Sequence, residues 1–302
     1  MPKQATAQAV RLALISEGVS LWPLYAAVEK KVFEREGISV ETTLTGSSAM
    51  QLDQLSKGAF DIGFQQSDHV VRAVEGGGDL FAFMAVAPAP ELTLVAAPDT
   101  GAIAGLRGKV IAVDGARTGY ALLLRRVLAD AGLSDGDYTL REFGGSAERH
   151  DALKQGAASA SLLNPPFDRN LLAAGFKSLG TSRDFFPAYP GPVAAARRSW
   201  AQQNKQRLIS FIRAFHAGCA WLGDSRNKQE AVGILPARLG MDAQAASRAY
   251  DEFIKLPPPT ITPDGMRRVI DVVWDAEART GRKGAPDKYM DLSYLDEARQ
   301  AP

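Results

Sequence analysis

Cysteine is nearly missing from this chain, which has one in 302 residues, and histidine is scarce at three. A single thiol excludes an internal disulfide and any thiolate metal cluster. That thiol, Cys219, lies among Phe215, Ala220, Trp221 and Leu222 and reads as inert helix interior. His69, His150 and His216 fall in separate expected helices, without His-Glu-x-x-His spacing or a cysteine partner for zinc. Charge of one sign is lacking too: 35 Lys and Arg against 34 Asp and Glu leave a formal net charge of +1. No global field therefore draws the protein to nucleic acid or an anionic membrane. No run approaches the roughly 20 apolar residues of a membrane-spanning helix. Residues 1–9 carry no apolar leader core, so a secretory signal is expected to be absent from them.

The motifs of common catalytic classes are missing as well. No serine sits in a Gly-x-Ser-x-Gly elbow. Around Gly105-Leu106-Arg107-Gly108-Lys109, Ile103 stands where a phosphate loop needs its first glycine, and Val110 where it needs Ser or Thr. Gly76-Gly77-Gly78 follows an expected helix instead of preceding one, so it reads as a terminating loop. Glu17 and Asp114 are the carboxylates at the ends of two equivalent strands, where loop bracing and ligand contact are both open readings.

What is present is alternation of strand and helix. Val10 to Ile15 reads as a strand, Trp22 to Phe33 as helical, and Ile38 to Leu44 as a strand. Gly46-Ser47-Ser48 then caps a helix that ends at Gly58, before a third strand at Phe60, Ile62 and Phe64. This predicts an α/β fold whose sheets are mostly parallel, with helices on their faces. The pattern also repeats at an offset of 98 residues: Gly46, Ser48, Ala49, Asp53, Leu55, Gly58 and Ala59 recur as Gly144, Ser146, Ala147, Asp151, Leu153, Gly156 and Ala157. The same offset lays Arg11–Ile15 on Lys109–Val113, Ser20 on Thr118 and Trp22 on Tyr120. Two α/β lobes are therefore expected, one from 1–96 and 193–302 with helices at its C-terminal end, the other from 97–192. Leu92–Ala96 and Pro192–Ala196 are the expected crossings. After Arg198 the chain reads helical, with Thr262-Pro263 starting one helix and Pro257-Pro258-Pro259 a rigid connector before it.

Gly37-Ile38-Ser39-Val40, Gly46-Ser47-Ser48, Gly58-Ala59-Phe60-Asp61-Ile62-Gly63 and Leu106-Arg107-Gly108-Lys109-Val110-Ile111-Ala112-Val113 follow one another in an order with a known likeness. The chain resembles the nitrate, sulfonate, taurine and thiamine-precursor class of ABC-transporter substrate-binding proteins, over most of its length and more weakly after Arg198. The resemblance implies a two-lobed type II periplasmic-binding-protein fold with one small molecule held in the cleft between lobes. It also implies delivery of that molecule to an ABC-transporter permease by hinge closure, without chemical conversion. A periplasmic or membrane-tethered extracytoplasmic location and a monomer are expected, with no catalytic residue, metal, cofactor or nucleic-acid partner.

In that family, loops at strand C-termini and the helix starts after them hold the ligand. Those positions here are Glu17, Ser20, Trp22, Ser47, Ser48, Gln65, Gln66 and Ser67 in the first lobe, and Arg117, Thr118, Tyr120, Ser146 and Asn164 in the second. Helix N-termini favour an anion, so a sulfonate, carboxylate or aromatic acid is the expected ligand. Arg117 is expected to pair with that anion and Trp22 and Tyr120 to sandwich an apolar or ring-shaped body. Helix capping by Ser47, Ser48 and Thr118, and pairing of Arg117 with Asp114, are the competing structural readings. Two other functions stay open: an enzyme on the same scaffold, of pyrimidine-precursor synthase or decarboxylase type, and a cytoplasmic ligand-sensing module. The synthases depend on histidine and a cysteine-rich segment that this chain lacks. No helix-turn-helix precedes Val10, which counts against the sensor.

Overall fold

A computed structural model describes residues 8–88, 92–116, 118–186 and 189–300. In chain order the elements begin β1 (Gln8–Leu14), α1 (Trp22–Glu29), α2 (Val32–Arg35), β2 (Ile38–Leu44), α3 (Ser48–Ser56), β3 (Ile62–Gln65), α4 (Ser67–Glu75) and β4 (Leu80–Ala85). There follow β5 (Thr93–Ala96), β6 (Val110–Val113), α5 (Gly119–Asp130), β7 (Thr139–Glu142), α6 (Ser146–Lys154), β8 (Ala160–Leu163), α7 (Phe167–Ala173), β9 (Lys177–Thr181) and α8 (Ser182–Phe185). Then come β10 (Val193–Arg197), α9 (Arg198–Gln203), α10 (Lys205–Gly223), α11 (Lys228–Leu239), α12 (Ala243–Phe253), α13 (Pro263–Ala276) and α14 (Ser293–Gln300).

These form two compact units, one from the described residues of 1–88, 190–266 and 285–302, the other from those of 89–189 and 267–284. Each holds one five-stranded sheet, ordered β2-β1-β3-β10-β4 in the first and β7-β6-β8-β5-β9 in the second. Four strands of each sheet run in one direction, and the fifth, β10 or β5, runs antiparallel to both its neighbours. This corrects the expected boundaries. Leu92–Ala96 and Pro192–Ala196 are not crossings, because Thr93–Ala96 and Val193–Arg197 are those antiparallel strands, and the divisions fall at 88–89 and 189–190. Residues 267–284, expected in the first lobe, belong to the second unit, and the boundary falls inside α13. Val272 of that helix packs in the second unit's core with Leu122 and Leu123 of α5.

Alternation along the strands builds the cores. In the first unit Val10, Leu12 and Leu14 of β1 join Phe33, Phe64, Phe211 and Phe215. Every residue of β4 is buried although that strand ends the sheet. Its open edge is covered by the segment at Tyr289–Asp291: Ala82 N donates to Tyr289 O at 2.9 Å, and Asp291 N to Ala82 O at 2.9 Å. Covering an edge in this way removes a template for unwanted pairing. In the second unit Ile111 and Val113 of β6 face α5, and Ala112 faces the opposite layer with Leu153 and Leu171.

The repeat is visible in both units. α3 and α6 start and stop 98 residues apart, as do β3 and β8. Each helix is closed by a left-handed glycine, Gly58 at φ +83° and Gly156 at φ +69°, where a side chain would be strained. The first strands depart from that offset. Leu12 pairs with Ile62 and Ile111 with Ala160, so β1 and β6 correspond at 99 residues.

Candidate functional site

In the first unit, Ser47 and Ser48 open α3. Ser47 Oγ accepts from Met50 N at 3.3 Å, so its hydroxyl caps the helix. Glu17 and Ser20 are exposed. The Glu17 carboxylate accepts the phenol proton of Tyr25, and burial, with this bond second, pushes the Tyr25 phenol well above its ordinary range. Gln65 ends β3 and is only 1% exposed, yet neither its Nε2 nor its Oε1 has a hydrogen-bond partner among the described residues. The buried Oγ of Ser67, first residue of α4, has none either. Gln66, the N-cap residue between them, makes no side-chain cap bond. An unbonded buried amide or hydroxyl is costly, and such groups usually mark water, an ion or a ligand.

Trp22 corrects the expectation of a ring sandwich. It is 0% exposed in the first unit's core, with its indole N–H on Ala231 O at 3.2 Å. Trp22 is the first residue of α1, whereas α5 begins at Gly119 and Tyr120 is its second. One position is about 100° around a helix, so the two aromatics do not face equivalent directions in their units. Tyr120 is half-buried against the second unit's core.

In the second unit Thr118 caps α5, accepting from Ala121 N at 3.2 Å, and its hydroxyl donates to Asp114 Oδ1 at 2.6 Å. Arg117 lies outside the described residues. Ser146 opens α6 and donates to Asn164 Oδ1, and Asn164 Nδ2 donates to Pro165 O at 3.2 Å. Thr118 with Asp114, and Ser146 with Asn164, are thus two bonded pairs at the C-terminal ends of β6 and β8.

Two residues that sequence reasoning missed lie behind these loops. Gln51 of α3 is 0% exposed, and its Nε2 donates to Ala13 O at 2.8 Å and Phe64 O at 3.0 Å, leaving Oε1 unbonded. A Cβ on Gly63 would lie 3.7 Å from both Gln51 Cδ and Gln65 Nε2, so the two amides flank the same stretch of β3. Ninety-eight residues on, Arg149 of α6 is 2% exposed. It donates through Nη1 to Leu162 O at 2.5 Å and to Ser161 Oγ at 3.3 Å, and through Nη2 to Ser146 Oγ at 3.0 Å. Ser161 Oγ in turn donates to Ala112 O at 3.0 Å. Both polar residues stand one helical turn before a buried leucine, Leu55 and Leu153. A polar side chain on the apolar stripe of a short helix was the signal available.

A different concavity of about 690 Å³ lies along α5, lined by Leu122, Arg125, Arg126, Tyr138, Val272 and Asp275 among others. Its charges satisfy one another: Arg126 meets Asp275 at 2.6 Å and Asp130 at 2.9 Å, and Arg125 meets Asp135 at 2.5 Å. It is a solvated, self-paired groove. Among the described residues no three His, Cys, Asp or Glu side chains gather to hold a metal ion.

Comparison with known proteins agrees with the sheet topology. The periplasmic aliphatic sulphonate binding protein SsuA of Escherichia coli superposes with a TM-score of 0.76 at 19% identity, over 93% of this chain and 91% of that one. SsuA of Xanthomonas axonopodis pv. citri, an alkanesulfonate-binding protein bound to MOPS, gives 0.72 at 19%, over 95% and 100%. The periplasmic nitrate-binding protein NrtA of Synechocystis PCC 6803 gives 0.72 at 16%, over 97% and 89%. No curated protein sequence matches. The two units together therefore have the two-lobed periplasmic-binding-protein fold. Residues 19–227 match the family model described as NMT1/THI5 like, and the chain belongs to the NMT1/THI5-like family.

Proposed function

We propose that the protein is the extracytoplasmic substrate-binding component of an ABC-type importer and that it carries a small anionic organic molecule, a sulfonate, carboxylate or aromatic acid. The observation carrying this reading is Gln65, a buried amide with both ends unbonded at the C-terminal end of β3, beside the equally unbonded hydroxyl of Ser67. In open α/β sheets that end of the strands is where ligands bind. The family and the fold support the same role. In this reading Ser47, Ser48, Gln65, Gln66 and Ser67 of one unit, and Thr118, Tyr120, Ser146 and Asn164 of the other, engage one ligand. Contact with both units favours a closed form that a permease recognises. No bond is made or broken.

The test is a thermal-shift screen over anions, sulfonates, aromatic acids and neutral pyrimidines, followed by solution scattering with any hit. A ligand at one hundred times its dissociation constant adds about 2.7 kcal/mol to folding stability. Compaction with the hit, and its recovery unchanged after long incubation, are expected. A hit that is consumed would establish an enzyme on this scaffold and remove the transport reading.

A further inference from the structure

Arg149 is a buried cation to which no carboxylate among the described residues is hydrogen-bonded. Arginine is almost never fully buried unless it is paired, because removing a charge from water is costly. Its Nε–H is shared between Gly144 O at 3.2 Å and Gly145 O at 3.3 Å, and its Nη1 hydrogens go to Leu162 O and Ser161 Oγ. Nη2 gives one hydrogen to Ser146 Oγ. A guanidinium has five N–H donors, so one Nη2 hydrogen is left without an acceptor among the described residues. All of these partners are neutral, and no carboxylate oxygen among the described residues is bonded to the group. Asp114 and Glu148 act on it only through space, and Asp114 already accepts the Thr118 hydroxyl at 2.6 Å. Burial is the largest influence on Arg149 and weakens its hold on its proton.

The first unit shows what the backbone alone requires at this place. Gln51, the equivalent residue, donates to Phe64 O just as Arg149 donates to Leu162 O, and reaches Ala13 O directly where Arg149 works through Ser161. A neutral amide therefore does the bracing, and the charge at 149 is surplus to it. The helix starts differ in the same direction. Ser47 caps α3 with its own hydroxyl, but its equivalent is Gly145, and α6 has no side-chain cap. Its first N–H groups keep their partial positive charge for another acceptor. The exposed Glu148 carboxylate folds back toward Gly145 and competes for that place.

We infer that Arg149, with the uncapped start of α6, is the cationic group against which the second unit holds the oxyanion of the ligand, a sulfonate, carboxylate or comparable acid. This rests on the reading of the chain as a ligand-binding protein. Arg149 supplies a charge-assisted bond from Nη2. Gln51 gives the equivalent position of the first unit a neutral amide, so the two units make unlike demands on a ligand.

The test compares wild type with Arg149→Gln, which installs the first unit's own solution, and with Arg149→Lys, which keeps the charge. Unfolding midpoints are measured in a chloride background with sulfate, nitrate, ethanesulfonate or benzoate, and with uracil as a neutral probe; any stabilising probe is then titrated calorimetrically. At least one anion is expected to stabilise wild type and to bind Arg149→Gln roughly 30-fold or more weakly, the loss typical of truncating one partner of a buried charge pair. Arg149→Lys is expected to recover part of that affinity, and Arg149→Gln without additive to keep the wild-type circular dichroism spectrum. The inference is overturned if no anion stabilises wild type more than Arg149→Gln, whether because both respond or because neither does. If uracil alone stabilises both proteins equally, the binding-protein reading survives and Arg149 does not. If nothing in the wider screen binds either protein, both fail.

Discussion

Trp22 stands edge-on to Tyr250, ring centroids 5.8 Å apart at 77°, and its indole N–H is held by Ala231 O. The contact ties α1 to α11 and α12 in the interior of the first unit. Trp22→Phe should keep the fold and cost about 1–3 kcal/mol, through the lost indole hydrogen bond and the volume left unfilled. Trp22→Ala should cost about 3–5 kcal/mol through the cavity it opens. Urea denaturation measures both. Ligand affinity of Trp22→Phe should equal wild type, and a tenfold loss in the folded variant would restore this aromatic to the site.

Gln51→Leu removes the donor for Ala13 O and Phe64 O while keeping a similar volume. Two buried carbonyls then lose a bond, and a loss of about 2–4 kcal/mol in the unfolding free energy is expected. A change below about 0.5 kcal/mol would mean that those carbonyls find other partners.

Gly191 has no room for a side chain. A Cβ there would lie 2.5 Å from Ala87 O and closer still to Pro88 O. Gly191→Ala should destabilise by about 1–3 kcal/mol or more, because backbone must move to admit it. Gly101 is the control, with nothing within 4 Å of its added Cβ. Gly101→Ala should change the melting midpoint little, or raise it slightly by restricting the unfolded chain.

Burial pushes the Cys219 thiol up to about 12. The folded state thus favours the neutral thiol, an effect fully present below the ordinary thiol range and lost as pH rises toward 12. The thiolate is the reactive form. Labelling by a disulfide reagent at about pH 8 should therefore be several hundred-fold or more slower than for a free thiol in denaturant, and should accelerate as pH climbs. Equal rates in folded and unfolded protein would show the thiol to be open to solvent.

The alternation of strand and helix was legible because strand runs and glycine stops are local signals, and the 98-residue repeat over 46–59 and 144–157 set the helix after Gly46 against the helix after Gly144; that β3 and β8 share the same offset emerged from the structure. The lobe boundaries were not legible. Strand runs show that a segment is extended but not which sheet takes it, so Thr93–Ala96 and Val193–Arg197 read as connectors. The single-residue slip between β1 and β6 was invisible as well, since both are short apolar runs that align at either offset. In the candidate site, Gln65 and Ser67 could be placed from their position after a strand. Gln51 and Arg149 were not legible, because they lie outside the loops at strand ends and act from the buried face of a helix.

The antiparallel strand of the first unit's sheet, β10, lies beyond all five strands of the second unit's sheet in the chain, with an unequal effect on synthesis. The second unit's sheet is complete once Thr181 has emerged, whereas the first unit's sheet waits for Val193–Arg197 to fill the gap between β3 and β4. On the ribosome the later sheet can therefore close before the earlier one, and for about a hundred residues of elongation β3 and β4 have open sides. Such edges recruit other strands. Nascent chains stalled short of residue 193 are expected to be the species that chaperones must hold.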